Sequence, residues 1–211
     1  MIEQGTNEWL LERCGKATAS RIADIMARTK TGYGASRASY AAQLITERLT
    51  GCIAPSFTNS AMQHGTMTEP EARRAYEFYA DCDVEQVGFI PHPTIGMAGA
   101  SPDGLVEKDG LVEIKCPQSA THIDTLLSGT VPEKYIKQMH FQMMCCERQW
   151  CDFASYDPRF PERMRLFVKR VHRDEELVDE IAVEVCTFLS EIDAKTNALN
   201  VKFAHQLEEA A

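Results

Sequence analysis

The sequence predicts a mixed α/β fold of the α+β kind, a central mixed β-sheet flanked by helices, and three observations predict it. The chain has 211 residues, 44% of them hydrophobic, enough for one sizeable core. Helical periodicity recurs at "SRASYAAQLITERLTG", "TEPEARRAYEFYA" and "PEKYIKQMHFQMMCCERQW". Between and after these stretches, "CDVEQVGFIPHPTIGMAGAS", "SPDGLVEKDGLVEIKC" and "WCDFASYD" carry the short alternating or apolar runs of strands. No internal repeat interrupts the pattern. A single domain over residues 1–211 is expected, with a core at 8–170 and a long C-terminal helix at 174–200.

In chain order, "ATASRIADIMART" reads as a helix with Thr18 or Ser20 as N-cap. "SRASYAAQLITERLTG" is a second, closed by Gly51 at its C-terminus. "TEPEARRAYEFYA" is a third, with Pro70 tolerated in the first turn. One or two strands and a Gly-rich approach lead to the hairpin at 101–116. The next helix carries Tyr135, Ile136, Met139, Met143 and Cys146 at core spacing. "WCDFASYD" and "RMRLFVKRVH" follow as strands joined by "DPRFP".

The net charge of −9 argues against a general nucleic-acid coat but not against an enzyme acting on DNA. Acidity concentrates in the last third, whereas residues 13–48 hold Arg13, Lys16, Arg21, Arg28, Lys30, Arg37 and Arg48. That asymmetry points one end of the molecule at an anionic partner. The eight cysteines show no C-x-x-C pair and read as free thiols of a cytosolic protein. His64, His92 and His140 have no zinc-motif spacing. No apolar run is long enough for a membrane span, and no secretory signal is visible, so a cytoplasmic location is expected.

The hairpin "SPDGLVEKDGLVEIKC" places Asp103, Glu113 and Lys115 among apolar residues. Alternation puts Glu113 and Lys115 on one face and Val112 and Ile114 on the other. A three-residue loop at Lys108-Asp109-Gly110, with Gly110 left-handed, sets Val106 against Val112 and Asp103 opposite Lys115, diagonal to Glu113. A two-residue turn turns Asp103 away unless a bulge intervenes. Two carboxylates about 4 Å apart repel by roughly 4 kcal/mol at an effective dielectric near 20, and a Mg²⁺ ion with oxygen ligands relieves such a pair.

"SPDG" followed by "VEIKCP" resembles the core of the PD-(D/E)XK nucleases. With "EWLLERCGKATAS", "HGTMTEPEAR", "YIKQMHFQM" and "ASYDPR" in order, the chain resembles the phage lambda exonuclease (alkaline exonuclease) family. The resemblance implies a restriction-endonuclease-like core and a 5′-to-3′ exonuclease on linear double-stranded DNA that leaves 3′ single-stranded tails for recombination. It implies two Mg²⁺ ions, with Mn²⁺ an allowed substitute, held by Asp103, Glu113, the Ile114 carbonyl and Glu69, while Lys115 orients the attacking water. Arg13, Ser20, Ser101 and Gln138 match a 5′-phosphate pocket, and Met62, in a loop before Glu69, matches an apolar wedge. The sequence departs at Ser60, where lysine is expected. A ring-shaped homotrimer, a single-strand annealing partner, a phage or prophage origin and a bacterial host cytosol are implied as well. An endonuclease of the same core and a non-catalytic DNA-end-binding module are the alternatives.

Overall fold

Strands β1 (Ala17–Thr18), β2 (Arg28–Thr29) and β3 (Gly32–Tyr33) alternate with helices α1 (Asn7–Arg13), α2 (Ile22–Ile25) and α3 (Ala35–Thr50) in the first part of the computed structural model. Helix α4 (Ser60–Ala80) then leads through β4 (Val84–Glu85), β5 (Ile90–Pro91) and β6 (Ala98–Ala100) to a hairpin, β7 (Gly104–Val106) and β8 (Gly110–Lys115). Helices α5 (Ser119–Ser128) and α6 (Glu133–Cys146) connect to β9 (Trp150–Tyr156). A short α7 (Glu162–Arg165), β10 (Leu166–His172) and the long α8 (Glu175–Glu209) complete the chain. The structure describes residues 2–55 and 60–209.

The main sheet has the order β10-β9-β8-β7-β4. It is mixed, because β8 and β9 run parallel and the other pairs antiparallel. A parallel pair needs a long crossover, which α5 and α6 supply. Strand β8 is therefore buried on both faces: Val112 and Ile114 pack with Ala72 and Tyr76 of α4, while Leu111 packs with Met139 and Met143 of α6. A smaller sheet, β1-β6-β5, lies beside α2, α3 and α8.

Helix α6 is the pivot of the architecture. Met139 and Met143 face the main sheet, whereas Phe141, Met144 and Cys145 join Phe188 and Ile181 of α8 in a second core. A helix apolar on both sides is one enclosed by the fold. Among the described residues no helix is long and apolar enough to cross a membrane.

Several elements differ from expectation. "ATASRIADIMART" is not one helix: Ala17 and Thr18 pair in parallel with Ala98 and Gly99, and a 3-10 turn at Ala19–Arg21 precedes α2. Thr18 and Ser20 are thus not side-chain caps; Tyr40 Oη instead accepts the Thr18 amide at 3.1 Å. Helix α4 begins at Ser60, so Pro70 sits inside it and not in its first turn. "RMR" is helical in α7, and the strand starts at Leu166. Helices α1 and α5 had no sequence expectation. All eight cysteines are free, as expected, with Cys52 and Cys186 at the surface.

The hairpin loop has three residues, but they are Glu107, Lys108 and Asp109. The ladder pairs Gly104 with Val112 and Val106 with Gly110. The register is shifted by two residues, and Glu107, not Gly110, takes the left-handed conformation at φ 49°. Gly110 is required for a different reason: a Cβ there would lie 2.1 Å from the Trp150 ring.

Candidate active site

A shift of two residues preserves side-chain facing in a strand. Leu111, Glu113 and Lys115 therefore still share the α6 face of β8. Asp103 sits just before β7, and its Oδ2 accepts the Ile114 amide at 2.7 Å. Asp103 is thus beside Glu113 and not opposite Lys115, as the expected register had it. Sequence and structure agree that the two acids and the lysine converge.

Glu113 is 1% exposed. Its Oε1 accepts Gln138 Nε2 and its Oε2 accepts Gln142 Nε2, both at 2.6 Å, and Lys115 Nζ forms an ion pair with Oε1. Gln138 and Gln142 lie one turn apart on α6, so both amides reach the same carboxylate. Burial alone would depress the Lys115 pKa, but the Glu113 and Asp103 carboxylates outweigh it and hold the ammonium above its ordinary range. The Lys115 Nζ also lies 5.4 Å from the Tyr135 ring centroid. Asp103 is pushed up to about 8, first by burial and then by the Glu113 charge.

Glu69 reaches the same locality from α4. Burial raises its pKa, while Arg73 and Lys115 oppose the rise, and Arg73 Nη2 donates to it at 2.6 Å. Among the described residues no group of three or more His, Cys, Asp or Glu side chains is gathered closely enough to hold an ion by itself. The residues nevertheless fit a hard cation. Asp103 and Glu113 form an enclosed acid pair whose mutual cost raises one of them, and a main-chain oxygen, water and substrate phosphate would complete an oxygen shell.

The expected phosphate residues divide into two groups. Arg13, at the end of α1, lies 4.0 Å over the Trp9 ring, and Arg13 Nη1 and Trp9 Nε1 both donate to Ser101 Oγ at 3.0 and 2.9 Å. Burial lowers the Arg13 pKa, and among the described residues it has no ion-pair partner. Arg13 and Ser20 line a cleft of about 190 Å³ with Lys16, Arg21, Tyr40 and Glu47. Gln138 does not line it and is committed to Glu113 instead. Met62 falls in helix α4 and not in a loop, and its side chain lies outside the described residues.

Sequence reasoning missed Gln142 as a partner of Glu113 and placed Tyr135 only at core spacing; Lys16 and Arg21, counted there only within the basic stretch 13–48, line the cleft beside Arg13. The signal for Gln142 was present, since two glutamines spaced by four interrupt the buried stripe of Met139 and Met143.

A mixed sheet whose central strand carries Glu113 and Lys115, with Asp103 just ahead of the neighbouring strand, is the fold of the PD-(D/E)XK nuclease class. The domain described as the YqaJ-like viral recombinase domain matches residues 8–149, and the chain belongs to that family. It is similar to the alkaline exonuclease LHK-Exo of Laribacter hongkongensis, at 49% identity and TM-score 0.90, covering 95% of this chain and 100% of that one. A phage-related exonuclease from Haemophilus somnus shares the fold at 15% identity, TM-score 0.67, with 87% and 96% covered. The uncharacterized protein R354 of Acanthamoeba polyphaga mimivirus is 25% identical over 73% of this chain, which spans only 29% of that relative's length.

Proposed function

We propose that the protein is a Mg²⁺-dependent 5′-to-3′ exonuclease that digests one strand of linear duplex DNA and leaves a 3′ single-stranded tail for recombination by strand annealing. The observation that carries this reading is the convergence of Asp103, Glu113 and Lys115, with Asp103 tied to the strand through the Ile114 amide. Asp103, Glu113 and the Ile114 carbonyl would hold one ion, and Glu69 would contribute to a second. Two such ions supply charge for both the attacking and the leaving oxygen of an in-line displacement.

The chain's own residues do the positioning. Gln138 and Gln142 fix both oxygens of Glu113, so that its carboxylate cannot swing toward solvent. Lys115 orients the attacking water and offsets charge on the scissile phosphate. Arg13, with a half-buried guanidinium and no carboxylate partner among the described residues, is suited to a terminal phosphate. LHK-Exo has been solved with dAMP, and a deoxynucleoside monophosphate is what an exonuclease releases. A ring-shaped homotrimer, a single-strand annealing partner and a cytoplasmic site of action, in a phage-infected or lysogenic host, belong to the same reading.

The test uses linear duplexes with 5′-phosphate or 5′-hydroxyl ends and a closed circle, each with Mg²⁺ or chelator. Degradation of the linear 5′-phosphate duplex with Mg²⁺ alone is expected. Cutting that survives chelation, or attack on the circle, overturns the proposal. Sedimentation of the pure protein tests the trimer.

A further inference from the structure

Three cations border the cleft beside α1, and the phosphate reading uses only Arg13. The cleft wall is rigidly built. Gly15, at φ 71°, donates its amide to Glu47 Oε2 at 2.7 Å and accepts Arg48 Nε on its carbonyl at 2.8 Å. A Cβ at Gly15 would lie 2.8 Å from Arg48 Cγ, so the loop from Arg13 to Lys16 is clamped against α3 at a position only glycine fits. Tyr40 Oη donates to the Lys16 carbonyl at 3.2 Å and accepts the Thr18 amide at 3.1 Å, fixing the next two peptides.

Both remaining cations are placed by this wall. The Arg21 guanidinium lies 4.1 Å from the Tyr40 ring centroid, with Nε bonded to Asp24 Oδ2 at 2.5 Å and Nη1 to Gln43 Oε1 at 3.2 Å. Its Nη2 makes no bond to another described residue. Lys16 Nζ lies 5.1 Å from the Phe89 ring centroid and has no carboxylate partner among the described residues. Asp24 and Glu47 offset part of this charge. Glu47, however, is 5% exposed, and its oxygens are engaged by the Gly15 and Ala54 amides and by Gln43. The cleft is therefore bordered by three cations, while the oxygens of its buried acid are taken up by neighbouring amides.

We propose that Lys16 and Arg21 are specificity-determining residues that grip the 5′-terminal phosphate together with Arg13. The proposal rests on the exonuclease reading and deepens it. A terminal phosphate monoester carries a second negative charge above about pH 6, which neither an internal phosphodiester nor a 5′-hydroxyl end has. Extra cations at this one cleft therefore select the end and not the duplex body.

The experiment measures initial rates with Mg²⁺ on 5′-phosphate and 5′-hydroxyl duplexes over a range of DNA concentrations, for the parent and for Lys16→Gln, Arg21→Gln and Lys16→Arg. Each glutamine variant is expected to raise KM for the 5′-phosphate duplex about tenfold, the worth of one charged hydrogen bond, with kcat and the 5′-hydroxyl KM unmoved. Lys16→Arg is expected to keep the preference. Lys16 makes no side-chain hydrogen bond among the described residues, so its variant is free of any packing role that Arg21 plays on Tyr40. Equal losses on both ends, or full retention of the preference by both glutamine variants, overturn the assignment while leaving the exonuclease reading intact. A parent enzyme that attacks both ends equally overturns the phosphate-end reading itself.

Discussion

Replacing Gln142 with leucine separates the stability of the protein from the chemistry of Glu113. Gln142 is 1% exposed and donates to Glu113 Oε2 at 2.6 Å, but its own Oε1 is buried with no hydrogen-bond partner among the described residues. Leucine fills nearly the same volume. It removes a charge-assisted hydrogen bond worth about 1.5–3 kcal/mol and, with it, an unsatisfied acceptor that costs about 1–3 kcal/mol. These effects oppose each other, so the folded state should change by no more than about 2 kcal/mol, or about 4–8 °C in Tm. The function should not escape so lightly. A carboxylate held by one amide instead of two is a poorer ligand, and loss of an outer partner typically costs about 10–100-fold in metal affinity or activity. Mg²⁺ titration of the exonuclease rate, with a thermal melt of the same preparation, checks both halves. An unchanged Mg²⁺ half-saturation refutes the claim that Gln142 positions Glu113, and a Tm loss well beyond that range refutes the cancellation.

Lys115→Met should abolish cleavage while leaving duplex binding measurable by gel shift; retained turnover would remove Lys115 from the chemistry. Gly110→Ala should destabilise the fold by about 1–3 kcal/mol through overpacking against Trp150, seen as a lower urea midpoint and altered tryptophan fluorescence. Asp157 is held at about 2, chiefly by the Arg159 guanidinium against an opposing burial contribution, with help from Ser119. A folded-state pKa below the unfolded one gives stability that is present above about pH 4 and lost as pH falls toward 2. Asp157→Asn should therefore flatten the acid limb of urea-melt stability between these values, and an unaltered limb would contradict the pairing.

The charged face of the hairpin was legible because strand alternation is local, and an error of two residues leaves it intact. The error itself came from Gly110, which local turn chemistry assigns to a left-handed loop position. Its actual constraint is the ring of Trp150, from the neighbouring parallel strand, a contact no local pattern carries. "ATASRIADIMART" failed for a similar reason. Its helical periodicity lost to the parallel pairing of Ala17 and Thr18 with β6 and to the Tyr40 hydroxyl that takes the Thr18 amide. Gln138 was expected at the phosphate pocket because it matches a residue of that pocket in the resembling family; the contact the structure gives it, its amide on Glu113, depends on a long-range packing of α6 against β8.

The two halves of the site meet on three residues. Ser101 accepts from Arg13 and Trp9, the Pro102 carbonyl accepts Gln4 Nε2 at 2.8 Å, and Asp103 accepts the Ile114 amide. The segment that would bind the metal is thus tethered at its start to the cleft that would bind the DNA end. A phosphate at Arg13 would share the guanidinium with Ser101, so occupancy of the cleft would act through that bond on the backbone two residues from Asp103. Loss of the tether in Ser101→Ala should then lower kcat on 5′-phosphate ends as well as raising KM, whereas a purely binding role would raise KM alone.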